Sequence, residues 1–255
     1  MRRRALLTVV LLAARAGAEE PKSLLPCRPT IACTAELAPE GTLQLELGYL
    51  RRALAGGVTQ ESIPFLAKLA LADWLEAQVS SNGYTVSDGP APARFHDNLQ
   101  LGFKASRKGG TAFPTVGASL QLAVPTPGRQ LGYLKATDAL VTGYLTYMLP
   151  ANVEADMNLG ANVFHIEGSA QTQPWAALAL SRDLPLGLTA MAEGYRFGGA
   201  LPYAQRDAGL LAALSWTATS WLVIDAGGDA GLFPRSRRFS IFCGLSLASR
   251  KLWGG

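Results

Sequence analysis

Val153-Glu154-Ala155-Asp156-Met157-Asn158-Leu159-Gly160-Ala161-Asn162 alternates without a break. Apolar side chains take the odd positions; acids, amides and a glycine take the even ones. Successive side chains of a strand point to opposite sides, so this stretch has one apolar face and one polar face. In lipid the apolar face must look outward and the polar face must line an interior.

The same reading extends in both directions. Leu43, Leu45, Leu47 and Tyr49 oppose Gln44, Glu46 and Gly48. Leu99, Leu101, Phe103 and Ala105 oppose Asn98, Gln100, Gly102 and Lys104. Near the end of the chain Phe239, Ile241, Cys243, Leu245 and Leu247 oppose Ser240, Gly244 and Ser246. About twelve such segments follow residue 41, many of them longer than the usual strand of about 5–6 residues and suited to crossing a bilayer. Segments 137–149, 174–182 and 207–216 alternate less cleanly, because Leu140, Trp175 and Leu211 break the pattern and leave their faces unassigned.

The breaks between segments alternate in length: long at 53–61, 84–95, 125–134, 165–171 and 198–206, short at 71–73, 108–112, 150–152, 183–185 and 217–220, with a last one at 233–237. Short turns at one end and longer loops at the other are the pattern of an outer-membrane barrel. The expected fold is all-β: an up-and-down antiparallel transmembrane β-barrel of about 12 strands in a single domain over residues 41–255. A soluble sandwich would turn the apolar sets inward and has no reason to sort its connectors by length. Trp74, Phe113, Phe164, Trp175, Trp216, Trp221 and Phe239 lie near segment ends, where rings suit the membrane–water interface.

Residues 1–18 read as a secretory signal peptide: Arg2, Arg3 and Arg4, a short apolar run from Ala5 to Ala14, then Ala16-Gly17-Ala18. Leu24-Leu25-Pro26-Cys27 is not a lipoprotein site, since Glu19, Glu20 and Lys22 interrupt the apolar run such a site needs. Without Arg2, Arg3, Arg4 and Arg15, the 23 basic residues fall to the number of acidic ones, 19. The mature chain is then near neutral, and its basic precursor says nothing of nucleic acid. Export without an apolar helix span and with many strands leads to the outer membrane of a Gram-negative bacterium, since only helices and closed barrels satisfy every backbone group in lipid. An even strand number puts both termini in the periplasm. Residues 19–40 are expected as a periplasmic arm. Outer-membrane lipids and the barrel-assembly machinery are the expected partners. Cys27 and Cys33 suit a local disulfide in an oxidising compartment; Cys243 falls on an apolar face. Two cysteines without a nearby histidine complete no metal site, and no cofactor is expected.

Alternation places Glu46, Glu76, Asp138, Glu154, Asp156, Glu193, Asp225 and Asp229 on the lumen side, with Lys68 and Lys104. Lys68 and Glu76 are expected to face each other across a turn near residue 72. Buried carboxylates need water, bases or shared protons, so these groups line either a wet passage or a polar plug. Catalysis is a weak reading: His96 and His165 are the only histidines, and Ser169 is the nearest hydroxyl to the second at a turn.

Several stretches carry a resemblance. Pro64 to Glu76 has a short turn ending in Asp73, a hydrophobic residue and then an inward acid; Asn98 to Lys104 follows it; Val124-Pro125-Thr126-Pro127-Gly128 is a strand exit; Trp221 to Gly231 is a late strand with inward aspartates. Together they resemble the outer-membrane proteins of the MetA-pathway phenol-degradation, or putative transporter, family. Lys251 to Gly255 departs from that family, whose last strand finishes directly in an aromatic residue. The resemblance implies an outer-membrane barrel with a transport role and no catalytic residues. The functional expectation is a channel or transporter for small solutes, hydrophobic or cationic. The alternatives are a plugged structural barrel and, behind it, an outer-membrane hydrolase.

Overall fold

The computed structural model describes residues 24–89, 92–110, 113–124, 138–166, 169–198, 207–233 and 239–253. The signal segment lies outside them. Among the described residues the chain forms a closed antiparallel barrel of twelve strands. They are β1 Leu43–Ala53, β2 Thr59–Ser62 with Phe65–Ala72, β3 Leu75–Ser81 with Tyr84–Asp88, and β4 Ala93–His96 with Leu99–Arg107. Then follow β5 Thr115–Val124, β6 Asp138–Leu149, β7 Val153–Ile166, β8 Ser169–Leu184, β9 Leu188–Phe197, β10 Asp207–Thr219, β11 Leu222–Gly231 and β12 Phe239–Ala248. Each strand pairs with its sequence neighbours. The seam between β1 and β12 runs from Gln44↔Ala248 to Ala53↔Phe239, so the sheet has no free edge there.

The two-piece strands keep their neighbours across the interruption. Pro64 cannot donate to the ladder, and β2 breaks beside it. Its carbonyl still accepts from Gly48 N–H at 2.9 Å, and the alignment to β1 is the same on both sides. In β3 the break falls at Gly83, whose φ is +66°, and the register to β2 slips by one residue across it.

The connector pattern needs correction. Two-residue and three-residue turns do gather at one end: Asp73-Trp74, Pro150–Asn152, Pro185–Gly187 and Ser220-Trp221. Two of the long breaks at the other end, 84–95 and 165–171, are mostly strand, and 53–61 is strand at both its ends. Residues 50–53 pair with 59–62, residues 84–87 pair with 93–96, and Ile166 pairs with Ser169. Hydrogen-bonded pairing can continue beyond the level of lipid, where neither face has to be apolar. The alternation fades there while the strand goes on. The two ends are called the turn end and the loop end below.

The outer face is apolar: Leu120, Leu159, Leu210 and Ile241 are each 51–59% exposed. Trp74, Phe113, Trp216 and Phe239 are also exposed, and the Cys243 thiol lies on this face. The irregular strands turn their large residues inward. Trp175 stands opposite Gly160, and its ring occupies the space a Cβ there would need, 2.4 Å away. Tyr195 lies over Gly209 and Phe242 over Gly227 in the same way. Leu211 is buried with Ala213 and Phe242. Each glycine on a neighbouring strand makes room for an inward ring, which reconciles the broken alternation with a regular sheet.

These pairs give a test. Gly160→Val drives a branched side chain into the Trp175 ring and should lower stability by about 1–3 kcal/mol, the usual cost of overpacking. Gly143→Val should stay within about 0.5 kcal/mol, since the nearest atom to a Cβ there is 3.8 Å away. Urea unfolding of both variants in lipid vesicles checks this. Equal losses would mean that the Trp175 ring lies elsewhere.

Candidate functional site: the occupied lumen

Residues 24–40 do not hang from the barrel mouth; they run inside it. The arm carries no strand or helix, so its peptide groups find no ladder. Buried N–H and C=O groups must be paired, and here the barrel wall pairs them.

Glu46, fully buried on β1, accepts from the backbone N–H of Cys27 at 2.9 Å and of Arg28 at 3.0 Å. Lys68 on β2 faces the same carboxylate at 2.6 Å and donates to the Leu25 carbonyl at 2.6 Å. Glu193 on β9 accepts from Ile31 N–H at 2.8 Å and from Ala32 N–H at 2.7 Å. Asn158 on β7, its amide oriented to satisfy both partners, accepts from Cys33 N–H at 2.8 Å and donates to the Cys33 carbonyl at 2.9 Å. The Thr146 hydroxyl accepts from Ala35 N–H at 2.6 Å and donates to Asp156. Lys104 on β4 donates to the carbonyls of Thr34 at 2.6 Å and Glu36 at 3.2 Å, and sits 4.6 Å from the centre of the Tyr144 ring. Carboxylate acceptors and ammonium donors make the bonds of Glu46, Lys68, Glu193 and Lys104 charge-assisted, the stronger class.

Arg28 has the most closely fitted seat. Gly48, Gly244 and Asp225 stand side by side on β1, β12 and β11. A Cβ at Gly48 would lie 2.2 Å from the guanidinium, and one at Gly244 would lie 2.5 Å from it. The two glycines thus form a flat slot for the planar group. Asp225 takes it at 3.3 Å, and the Cys243 carbonyl accepts from it at 3.1 Å. Cys27 and Cys33 are joined by a disulfide that closes a short loop within the arm. Ala32 packs against Ala177, Ala179 and Tyr195 on the opposite wall.

The inward residues read from the sequence therefore separate by role. Glu46, Lys68, Lys104, Glu193 and Asp225 hold the arm directly, and Asp156 does so through Thr146. Glu76 accepts from Gln78 at 2.8 Å and stands opposite Lys104 across the β3–β4 pair. Lys68 does not face Glu76: it is opposite Gln78, and Glu76 is opposite Ala70. The turn falls at Asp73-Trp74, later than residue 72, and the alignment shifts between Ala70 and Ala72. Asp229 is buried between Leu211 and Ser240 on the flanking strands. Asp138 pairs with Ala123 through its backbone, and its side chain lies outside the described residues. So does that of His165; His96 packs on Tyr84, ring centres 5.2 Å apart.

Among the described residues the lumen holds a cavity against the arm at the turn end and another toward the loop end. The turn-end cavity, about 300 Å³, is lined by Leu24 and Arg28 of the arm and by Glu154, Asp156, Ser181 and Asp183 of the wall. The loop-end cavity, about 220 Å³, is lined by Asn82, Asn98, Gln100, Asn162 and Phe164.

Sequence reasoning missed Arg28, Thr146, Asn158 and the threading itself. A signal was present: eight inward acids against two inward lysines leave most carboxylates short of donors, and the arm is where donors remained.

Arg28→Ala should leave Asp225 buried without its partner and cost about 3–5 kcal/mol in urea unfolding. Adding Asp225→Asn should recover part of that loss. Fully additive losses would contradict the contact.

No protein-family model and no curated protein sequence matches this chain. Among solved structures it is similar to an outer-membrane channel from Pseudomonas putida F1, at 13% identity and a TM-score of 0.63, covering 84% of this chain and 98% of that one. It is also similar to the NanC porin, at 10% identity and a TM-score of 0.54, covering 80% and 98%. At these identities the likeness is one of fold: the closed barrel of Gram-negative outer-membrane proteins.

Proposed function

We propose that this chain is an outer-membrane channel for small water-soluble solutes, narrowed by its own N-terminal arm. One observation carries the reading: a polar lumen holds a cavity against the arm and another toward the loop end, about 300 and 220 Å³ in volume. Solid polar packing would leave no such pair. The apolar outer face supports a bilayer location. Short turns mark the periplasmic end of such barrels, which puts the start of β1 and the end of β12 in the periplasm. Polar walls favour hydrophilic over hydrophobic solutes.

Charge selects further. Glu46, Glu193 and Asp225 are engaged by the arm, while Glu154, Asp156 and Asp183 line the turn-end cavity together. A carboxylate-rich mouth bounded by low-dielectric walls concentrates cations. The second reading, a permanently plugged barrel, draws on the density of bonds between wall and arm.

Planar-bilayer recording separates the two. The wild type should conduct in small steps with a reversal potential on the cation side across a salt gradient. Glu154→Gln with Asp183→Asn should reduce that preference. Arg28→Ala with Glu193→Gln, which loosens the arm, should raise unitary conductance severalfold. No conductance from the wild type or the loosened variant would favour the plugged barrel, and an anion preference would refute the charge argument.

A further inference from the structure

The outer wall carries a groove where β8, β9 and β10 meet. Glu193 and Tyr195 of β9 are buried on the lumen side, so Gly194 and Arg196 point outward, and Ala192 and Ala190 continue their row toward the turn end. The outward residues of β9 from Ala190 to Gly194 are thus all small, while their neighbours are large. Leu178 and Leu210 flank Gly194, Leu180 flanks Ala192 and Leu214 flanks Ala190. These four leucines are 41–59% exposed and stand as two ridges above the small row. At the loop end Ala176 and Ala208 flank Arg196 in turn, and Leu232 lies beyond Ala208. The groove holds about 700 Å³ there, more than either lumen cavity.

Packing within the barrel does not call for a glycine at 194. The inward glycines opposite Trp175, Tyr195 and Phe242 make room for rings, but a Cβ at Gly194 would meet only Leu210 Cδ2, at an ordinary 3.7 Å. Arg196 supplies the charge. It is exposed, it is the second-last residue of β9, and among the described residues no ion pair joins it. The described lining of the groove contains no carboxylate. An arginine on the lipid face is costly at mid-membrane and tolerated toward the interface, where its stem lies along apolar surface and its head reaches polar groups. A guanidinium matches phosphate oxygens bidentately. Residues 234–238, outside the described set, follow Phe233 of the groove and carry Arg235, Arg237 and Arg238 with no acid. Charge at this end therefore favours an anion.

We propose that this groove is a binding site for a phosphorylated acyl lipid of the outer leaflet, the lipid A part of lipopolysaccharide. One acyl chain lies along Gly194, Ala192 and Ala190, and a phosphate sits on Arg196. The groove offers the complements of such a lipid in the right order: a cation at the loop end, then an apolar trough running toward the middle of the bilayer. The inference is independent of conduction through the lumen and uses only the orientation that puts the turn end in the periplasm.

The test is native mass spectrometry of the full-length protein in detergent, titrated with diphosphoryl lipid A, with dephosphorylated lipid A and with phosphatidylglycerol. Lipid A should bind at one molecule per chain, at least tenfold more tightly than its dephosphorylated form and more tightly than phosphatidylglycerol. Arg196→Gln should weaken it at least tenfold, whereas Arg182→Gln, at an exposed arginine near the turn end of β8, should leave it unchanged. Gly194→Leu fills the trough from the lipid side; it should also weaken binding at least tenfold and keeps the test decisive if Arg196→Gln does not fold. Equal binding of the dephosphorylated form, tighter binding of phosphatidylglycerol, undiminished binding in a folded variant, or a dimer of this chain that excludes lipid would overturn the proposal. Conductance without lipid binding would leave the channel reading standing and sink this site alone.

Discussion

An irregular peptide segment buried inside a barrel and a wall of buried charged side chains are each unfavourable alone. The arm's N–H and C=O groups lack a ladder, and the wall's buried carboxylates and lysines need hydrogen-bond partners. Brought together, they satisfy one another. Glu46 and Glu193 take arm N–H groups, Lys68 and Lys104 donate to arm carbonyls, and Asn158 does both for Cys33. Removing either side leaves the other buried and unpaired, which is why the contact is strong in both directions.

The barrel supports that arrangement through its seam and through size matching across strands. Pairing of β1 with β12 sets Gly48 beside Gly244, and pairing of β12 with β11 sets Gly244 beside Asp225. A slot for one guanidinium thus exists only when the sheet is closed in this register. The inward rings of Trp175, Tyr195 and Phe242 follow the same logic, each lying over a glycine of the next strand. They also narrow the lumen that the arm has to fill.

The interior holds regions of distinct chemistry. Acids dominate at the turn end and amides at the loop end. A solute crossing such a barrel would meet mostly amides in one and several carboxylates in the other. The arm, held by Arg28, Ile31 and Ala32 on their wall partners, borders the turn-end region.

Local alternation was enough to read the strands, their number and the inward position of Glu46, Lys68, Glu76, Lys104 and Glu193, because side-chain direction in a strand depends only on parity. It was blind where parity and chemistry disagree. Trp175 and Leu211 look misplaced until the small residues on adjacent strands are known. The extent of β2, β3, β4 and β7 was underestimated, because strands beyond the lipid level need no apolar face. Partners were illegible altogether. Lys68 meets Glu46 rather than Glu76, since register depends on where the turn closes and on the shift near Ala70. Arg28 meets Asp225 across 197 residues, a pairing that exists only once the barrel is closed. The sequence by itself determined the inward side chains of the strands that alternate cleanly; the tertiary structure decided the facing of Trp175 and Leu211 and what the inward groups hold, because only closure brings the arm, β1, β9 and β11 to the same depth in one lumen.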